Sequence, residues 1–362
     1  MRTLTVAICA VALLISGSAV GSAEPVAVRA DLEGVVRSGA VGGIATVTER
    51  GENVVATAGR AEIGSGAPIS AEVAQYVRVG SVTKTFTAAI VLQLVSEGRV
   101  ELDASVETYL PGVLVGDGVD GRAITVRQVL GHRSGLPEPA SAELDEYRAA
   151  VEGRTFTPAQ EISLALAQPA RFAPGARFEY TNANYIVAGM VIEAVTGRTY
   201  VEELRGRILG PLGLSNTYLP ATGETGLRAP HPTGYSTMDG SVTDTTRMEP
   251  SLPWAAGALV STGADLNRFY LALLAGQVVP LPQVRAMLDG VDMGNGDGMS
   301  YGLGVGYAEL PCGAQYVGHI GGVRGFTTIS GATAEGRAVT YSFTGTPSAL
   351  DIGGLLARAL CG

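Results

Sequence analysis

The chain has 362 residues and a formal net charge of −9 at pH 7, from 34 acidic and 25 basic side chains. An acidic balance with no basic run argues against nucleic acid or an anionic membrane surface as a partner. The length is sufficient for one large domain or two closely packed subdomains.

Residues 1–23 have the pattern of a secretory signal peptide. Arg2 supplies the positive charge, residues 4–14 are apolar, and small residues end at Ala23. A membrane anchor is the alternative, but the apolar run is short for a bilayer and no stop-transfer pattern follows. We therefore predict a secreted, extracellular protein, cleaved near Ala23, with one catalytic domain over residues 24–362.

Cleavage would leave two cysteines, Cys312 and Cys361. An even pair in an oxidising compartment predicts a disulfide bond. A catalytic thiol is the weaker alternative, because neither cysteine has a histidine nearby in the sequence. The sequence also has no clustered His/Cys spacing typical of a metal site.

The N-terminal part reads as a helix, two strands and a second helix. Residues 27–37 are predicted to be helical, and residues 44–48 and 54–58 alternate like antiparallel strands with a turn at 51–53. An apolar helix follows over residues 81–97, before the favourable stop at Gly98.

The middle of the chain is predicted to be helical, and strands return near the C-terminus. The predicted helices are 126–130, 158–166, 184–195, 265–274 and 350–360, and the predicted strands are 316–320, 327–330 and 338–343. Strands at both ends imply one antiparallel sheet built from N- and C-terminal segments. The predicted fold class is α/β plus all-α, with the α/β part over about 24–100 and 261–362 and a helical subdomain over about 101–260.

The most informative residue is Lys84, the only lysine in the chain, three positions after Ser81. At a helix N-terminus this spacing puts both side chains on one face. A serine hydroxyl is a poor nucleophile until a neighbouring base takes its proton, and a desolvated lysine can be that base. The alternative explanation is a helix cap followed by a surface charge.

Two further motifs follow in order: YTN at residues 180–182 and GHIGGVRG at residues 318–325. Together with Ser-x-x-Lys they resemble the motifs of the serine β-lactamase and penicillin-binding protein superfamily. The resemblance covers nearly the whole mature chain. Within the superfamily the chain is similar to class C β-lactamases, and it is more similar still to secreted actinomycete D-alanyl-D-alanine carboxypeptidases. The resemblance implies a β-lactamase/transpeptidase-like fold.

The resemblance implies a role for each motif residue. Ser81 would be acylated, with Lys84 as base either directly or by holding Tyr180 as phenolate. Asn182 would bind the substrate amide, and the backbone N–H groups of Ser81 and Gly322 would form the oxyanion hole. His319 would head the third motif, and no cofactor would be needed.

The sequence departs from the carboxypeptidase pattern where a substrate carboxylate would be held. Ile320 replaces a threonine, Gly322 replaces a hydroxyl-bearing residue of many carboxypeptidases, and no arginine occurs near Gly306. Arg324 is one candidate replacement anchor. Trp254, the sole tryptophan, is a candidate for lining the substrate cleft or a buried residue without a function in binding.

These observations predict a monomeric secreted serine hydrolase. The first expectation is a D-alanyl-D-alanine carboxypeptidase acting on cell-wall peptides. The alternatives are an esterase, a class C-like β-lactamase and a slowly acylated binding protein for penicillin or muropeptide. The weakened carboxylate site favours substrates without a free carboxylate beside the scissile bond, such as an ester, an amide or an amidated peptide.

Overall fold

A computed structural model describes residues 24–139, 144–294, 296 and 298–362. The predicted signal peptide, residues 1–23, lies outside them. Within the described part of the chain, no helix is both long and apolar enough to cross a bilayer.

The strands lie mainly at the two ends of the chain. In chain order they are β1 (Ala40–Glu49), β2 (Glu52–Gly59), β3 (Val77–Arg78), β4 (Val115–Gly116), β5 (Val119–Asp120), β6 (Tyr235–Met238), β7 (Ser241–Asp244), β8 (Val260–Ser261), β9 (Val291–Asp292), β10 (Ser300–Tyr301), β11 (Gly306–Glu309), β12 (Gln315–Val323), β13 (Phe326–Ala332) and β14 (Arg337–Gly345).

The helices fill the middle and close both ends. They are α1 (Glu24–Arg37), α2 (Thr83–Ser96), α3 (Val126–Leu130), α4 (Glu146–Glu152), α5 (Pro158–Leu166), α6 (Asn182–Thr196), α7 (Tyr200–Leu204), α8 (Gly210–Leu212), α9 (Trp254–Gly257), α10 (Gly263–Leu274), α11 (Leu281–Met287) and α12 (Ile352–Cys361). Short 3-10 turns occupy Gly80–Val82 and Val106–Thr108, and a π-helical turn occupies Arg205–Leu209.

The large sheet joins the two ends of the chain. Its strand order is β2-β1-β14-β13-β12-β11-β10-β9, and each neighbouring pair is antiparallel. The central pairing sets Ile44 of β1 opposite Ser342 of β14. The predicted sheet of N- and C-terminal segments is confirmed.

Two apolar cores stabilise this arrangement. One core lies where α1 and α12 cover the sheet and contains Leu32, Phe343 and Leu355. The other contains residues of α2, α6 and α10, including Phe86, whose ring stacks on that of Phe269 at a centroid distance of 3.7 Å. Because α2 is apolar on nearly all sides, it is buried between the sheet and the helical region, as expected for such a helix.

Most predicted elements occur at or near their predicted positions. The bounds of α3 and α5 are those predicted, because each begins with a threonine capping box that the sequence makes visible. The first hairpin differs: β1 and β2 are longer than predicted, and the turn lies at residues 50–51 instead of 51–53. Glu49 and Glu52 therefore pair as the last residues of the ladder.

Cys312 and Cys361 form the predicted disulfide bond, with their Cα atoms 5.8 Å apart. Cys312 lies in the turn between β11 and β12, and Cys361 ends α12. The bond therefore holds the C-terminal helix against the sheet. It spans 49 residues, a loop length for which the chain-entropy model gives roughly 4 kcal/mol of stabilisation.

Replacement of both cysteines by serine should lower the free energy of unfolding by up to about 4 kcal/mol, because the unfolded chain gains conformational freedom. Urea denaturation with and without reductant measures this change. Reductant should destabilise the wild type and leave the double variant unaffected. An unchanged wild-type midpoint after verified reduction would contradict a stabilising role.

Candidate active site

Ser81 lies in the 3-10 turn that leads into α2, directly against β12. A β-carbon on Gly80, which has φ of +51°, would lie 2.8 Å from Gly322 N. A β-carbon on Gly321 would lie 1.9 Å from Val79 O and 2.9 Å from Ser81 N. These contacts require glycine at both positions. They bring the first and third motifs together, as the predicted oxyanion hole of Ser81 and Gly322 requires.

Lys84, the second residue of α2, is fully buried. Its Nζ lies 2.9 Å from Ser81 Oγ, 2.8 Å from Asn182 Oδ1 and 2.8 Å from the backbone oxygen of Ala256. An ammonium group has three donors, so these contacts satisfy it completely. The structure therefore brings Ser81, Lys84 and Asn182 together.

The surroundings of Lys84 favour its neutral form near physiological pH. Burial lowers its pKa to about 7, against an opposing effect of Glu138. Asn182 Oδ1 and Ala256 O can only accept hydrogen bonds, so they hold the two N–H bonds of a neutral amine. The lone pair of Lys84 Nζ then points toward Ser81 Oγ. This geometry can remove the proton of the serine hydroxyl.

Tyr180 precedes α6, and its ring lies 4.9 Å from Lys84 Nζ. Burial raises the pKa of its hydroxyl well above the ordinary value, and a hydrogen bond with Ser81 opposes this rise. The residue is 37% exposed, so solvent weakens the effect. The direction disfavours a phenolate at neutral pH. Of the two bases that the sequence left open, the geometry favours Lys84.

The ring of His132 packs against the ring of Tyr180. His132 lies in a turn after α3, and its ring is fully buried with its centroid 4.1 Å from that of Tyr180. Its Nδ1 accepts the backbone N–H of Thr181 at 3.2 Å. Burial lowers its pKa well below the ordinary value, so the ring is neutral. The Gly-His-Arg-Ser-Gly stretch thus positions the second motif.

Glu138 is a site residue that the sequence analysis missed. Its carboxylate accepts hydrogen bonds from Thr181 Oγ1, from the backbone N–H of Asn182 and from Asn182 Nδ2, at 2.6–2.7 Å. The last contact fixes the orientation of the amide, because it holds Nδ2 away from Lys84 and turns Oδ1 toward it. No local motif marks Glu138, which follows a turn far from Asn182 in sequence.

His319 is buried on β12 as an uncharged side chain. Its Nδ1 donates to the backbone oxygen of Ile320 at 2.6 Å, so its Nε2 accepts from Tyr301 Oη at 3.0 Å. Burial, reinforced by the charge of Lys84, lowers its pKa to about 3. The histidine of the third motif therefore brings no positive charge to the site.

Ser81 lies at the border of two cavities of different character. The first, of about 250 Å³, is the apolar cavity; its described lining also includes Tyr180, Met293, Met299, Tyr301, Gly306, Tyr316, His319 and Ile320. The second, of about 110 Å³, is the acidic cavity; Asn182 and Gly322 line it together with Glu138, Glu146 and Glu161. Tyr180 and Asn182 thus face different cavities.

Glu161 of α5 is 96% buried in the wall of the acidic cavity, and its Oε1 has no hydrogen-bond partner. Burial, together with the charges of Glu146 and Glu138, raises its pKa to about 9. Burial also raises the pKa of Glu146. A cation placed among these carboxyl groups would be attracted to them and would reduce the repulsion between their negative charges.

Two candidate binding residues lie elsewhere. Arg324 Nη2 forms an ion pair with Asp145 Oδ2 at 2.5 Å, which competes with the carboxylate-anchoring role considered above. Trp254 packs edge-on against Tyr200 in α7 and lines a separate cavity with it. Neither residue is part of the described lining of the two cavities that Ser81 borders.

Comparison with known proteins identifies the family. The β-lactamase family model matches residues 28–359, and the chain belongs to this family. Among curated relatives, a putative penicillin-binding protein, PbpX, from Bacillus subtilis is 26% identical over 272 residues, which cover 74% of this chain and 61% of the relative. The chain thus matches about three fifths of that relative's length.

The solved structures add full-length neighbours. A D-stereospecific amidohydrolase from Streptomyces sp. is 36% identical, with a TM-score of 0.84 and coverage of 93% of this chain and 98% of the other. A D-amino acid amidase from Ochrobactrum anthropi SV3 is 26% identical, with a TM-score of 0.79 and coverage of 92% and 96%. The predicted β-lactamase/transpeptidase-like fold and a serine hydrolase are confirmed.

Hydrolysis by Ser81 should depend on the neutral form of Lys84. With a pKa near 7, kcat/KM for an ester such as p-nitrophenyl acetate should fall about tenfold per pH unit below pH 6 and level off above pH 8. Lys84→Arg should lose roughly 100- to 10,000-fold at every pH, because arginine stays protonated. Ser81→Ala gives the background rate. A flat profile between pH 5.5 and 8.5 would contradict Lys84 as base.

Glu161 should make the protein less stable as the pH rises. Its folded pKa, about 9, lies above the unfolded value, so the folded state keeps a proton that the unfolded chain loses above about pH 4.5. Glu161→Gln should therefore raise the melting temperature by several degrees at pH 8 and little at pH 4. The exposed Glu72→Gln is the matched control. An equal gain at both pH values would contradict this titration.

Proposed function

We propose that this protein is a serine amidohydrolase that cleaves amides of amino acids, preferentially D-amino acids, whose α-amino group is free. The observation that carries the proposal is the acidic cavity beside Ser81, where Glu138, Glu146 and the unpartnered Glu161 face the space next to the nucleophile. The D-stereospecificity is supported by the amidohydrolase and the amidase among the structural neighbours.

The acidic cavity suits the acyl part of the substrate. Asn182 lines it and is held by Glu138, so the amide can bind the acyl portion while its Oδ1 stays on Lys84. An α-ammonium group in this cavity would lie among three carboxyl groups. The charge attraction would also lower the raised pKa values of Glu146 and Glu161, which makes binding of a cation favourable.

Acylation follows from the contacts of Lys84. Neutral Lys84 takes the proton of Ser81 as Oγ bonds to the substrate carbonyl carbon. The carbonyl oxygen becomes an oxyanion beside the backbone N–H groups of Ser81 and Gly322. The C–N bond then breaks, and the leaving amine receives the proton from Lys84 through the Tyr180 hydroxyl.

Deacylation repeats the steps with water as nucleophile. Lys84 takes a proton from water as the water oxygen bonds to the acyl carbon. The ester bond to Ser81 breaks, Ser81 Oγ regains a proton from Lys84, and the free amino acid leaves. No redox step or added co-reactant is needed, since one water is consumed for each amide bond.

The carboxypeptidase expectation is the second candidate, favoured by the penicillin-binding relative. The position of Arg324 and the neutral His319 weigh against it, because a carboxylate beside the scissile bond would find no free cation among the described lining residues of the apolar cavity. The esterase, β-lactamase and slowly acylated binding-protein alternatives share Ser81 chemistry. Secretion and the monomeric state stay predictions.

The test compares substrates that differ in one group. Ammonia release should be fastest from D-phenylalanine amide and D-alanine amide, and at least about tenfold slower from their N-acetyl forms, which lack the ammonium group. The L-amides, an N-acylated peptide ending in D-Ala-D-Ala and a cephalosporin complete the panel. Ser81→Ala should abolish all turnover.

A matched pair of variants in α4 isolates the acidic cavity. Glu146→Gln should reduce the preference for a free over an acetylated amine by about tenfold. Glu152→Gln, at the exposed end of the same helix, should leave the preference unchanged. Faster cleavage of the D-Ala-D-Ala peptide or the cephalosporin than of every amide, or a stable adduct without turnover, would reject the proposed function in favour of the corresponding alternative.

A further inference from the structure

The apolar cavity borders the atoms that release the leaving group. When the C–N bond breaks, the departing nitrogen must receive a proton. Tyr180, which lines this cavity together with Ser81 and whose ring centroid lies 4.9 Å from Lys84 Nζ, is placed to deliver it. Tyr180 lines the apolar cavity, whereas Asn182, which binds the acyl part, lines the acidic one. A leaving nitrogen beside Tyr180 therefore has its substituent in the apolar cavity.

The wall of this cavity is chemically unsuited to a carboxylate. Among its described residues, Met293, Met299 and Ile320 are apolar, and His319 is neutral with both ring nitrogens engaged. A carboxylate placed there would lose its hydration without gaining a cation, which is strongly unfavourable. Burial of an aromatic or aliphatic group there would be favourable, because apolar surface is removed from water.

The cavity is also large and adaptable enough for such a group. Its volume of about 250 Å³ far exceeds what the ammonia of a primary amide would fill. The backbone N–H of Met293 donates to Met299 O at 3.0 Å, so the two methionines are held side by side. Unbranched methionine side chains adjust readily to ligands of different shape.

From these observations we infer that the apolar cavity is a leaving-group site. It takes a bulky apolar amine or alcohol component that has no carboxylate, such as a benzylamine or an amidated aromatic residue. The inference rests on the proposed acylation of Ser81 by an amino acid. It adds that the group held in the apolar cavity belongs to the leaving component of the substrate and not to the acyl side chain.

The kinetic test varies the leaving group at constant acyl group. Wild type should cleave D-alanine benzylamide with kcat/KM about 10- to 100-fold above D-alanine amide, because the ring is buried in the transition state. It should also prefer D-alanyl-phenylalanine amide to the same dipeptide with a free carboxylate by at least about tenfold.

A pair of variants on β11 tests the location. A β-carbon on Gly306 would lie 3.0 Å from the flexible end of Met299, so Gly306→Val should fill the cavity and reduce the benzylamide-to-amide ratio at least about tenfold. Ala308→Val, two residues along the same strand and outside the described lining, should leave the ratio unchanged. If Gly306→Val instead lowers the D-phenylalanine amide to D-alanine amide ratio, the cavity holds the acyl side chain and the inference is overturned.

A binding measurement separates this inference from the proposed function. In Ser81→Ala with ¹³C-methyl methionine, benzyl alcohol should shift the signals of Met293 and Met299 but not that of buried Met248, and Gly306→Val should abolish the shift. These shifts without hydrolysis of any amino acid amide would reject the proposed function and leave the apolar site standing. Hydrolysis of primary amides by the wild type, without these shifts in Ser81→Ala, would overturn the leaving-group site and leave the proposed function intact.

Discussion

The buried amine of Lys84 is the constraint on which the site depends. A lysine without solvent is unfavourable unless its donors are satisfied, and here the acceptors come from Ser81 in its own turn, Asn182 at the start of α6 and Ala256 in α9. The helical region must therefore pack against α2 in one position. The same desolvation lowers the pKa of Lys84 to about 7. The burial that is costly for stability is therefore also the feature that suits Lys84 to act as a base.

Glu138 extends this constraint to the second motif. Its carboxylate holds the start of α6 and turns the Asn182 amide so that its oxygen faces Lys84. On the other side, the His132 ring backs Tyr180. Both supports come from the segment that follows α3. The orientation of the second motif is therefore decided by residues outside it, through buried polar contacts that have few alternatives.

Charge divides the cleft around Ser81. One cavity gathers Glu138, Glu146 and Glu161, and the other presents apolar side chains with a neutral His319. A substrate with a cation on its acyl side and an apolar leaving group matches this division. A substrate with a terminal carboxylate on its leaving side does not match this division, because the described apolar lining offers it neither a cation nor a free hydrogen-bond donor from His319. Specificity within this fold is thus separable from the catalytic contacts.

Some features follow from the sequence because they are local. The Ser81–Lys84 spacing places two side chains on one helical face, the capping boxes of α3 and α5 mark their starts, and alternating residues mark the strands of the large sheet. The first turn lies at residues 50–51 instead of the predicted 51–53, because an alternating pattern does not mark the residue at which a strand ends. The family resemblance, which depends on the order of three motifs, was likewise visible without a structure.

The rest depends on contacts between distant segments. Glu138 and Glu161 line one cavity beside Ser81 although no motif links them. Arg324 forms an ion pair with Asp145, which is 179 residues away in the chain. Trp254 faces Tyr200 instead of the two cavities at Ser81. The sequence by itself determined the fold, the candidate nucleophile Ser81 and two candidate bases, Lys84 and Tyr180, since these depend on spacing, motif order and periodicity. The tertiary structure decided the charge of each cavity, because burial and ion pairing are set by which segments meet.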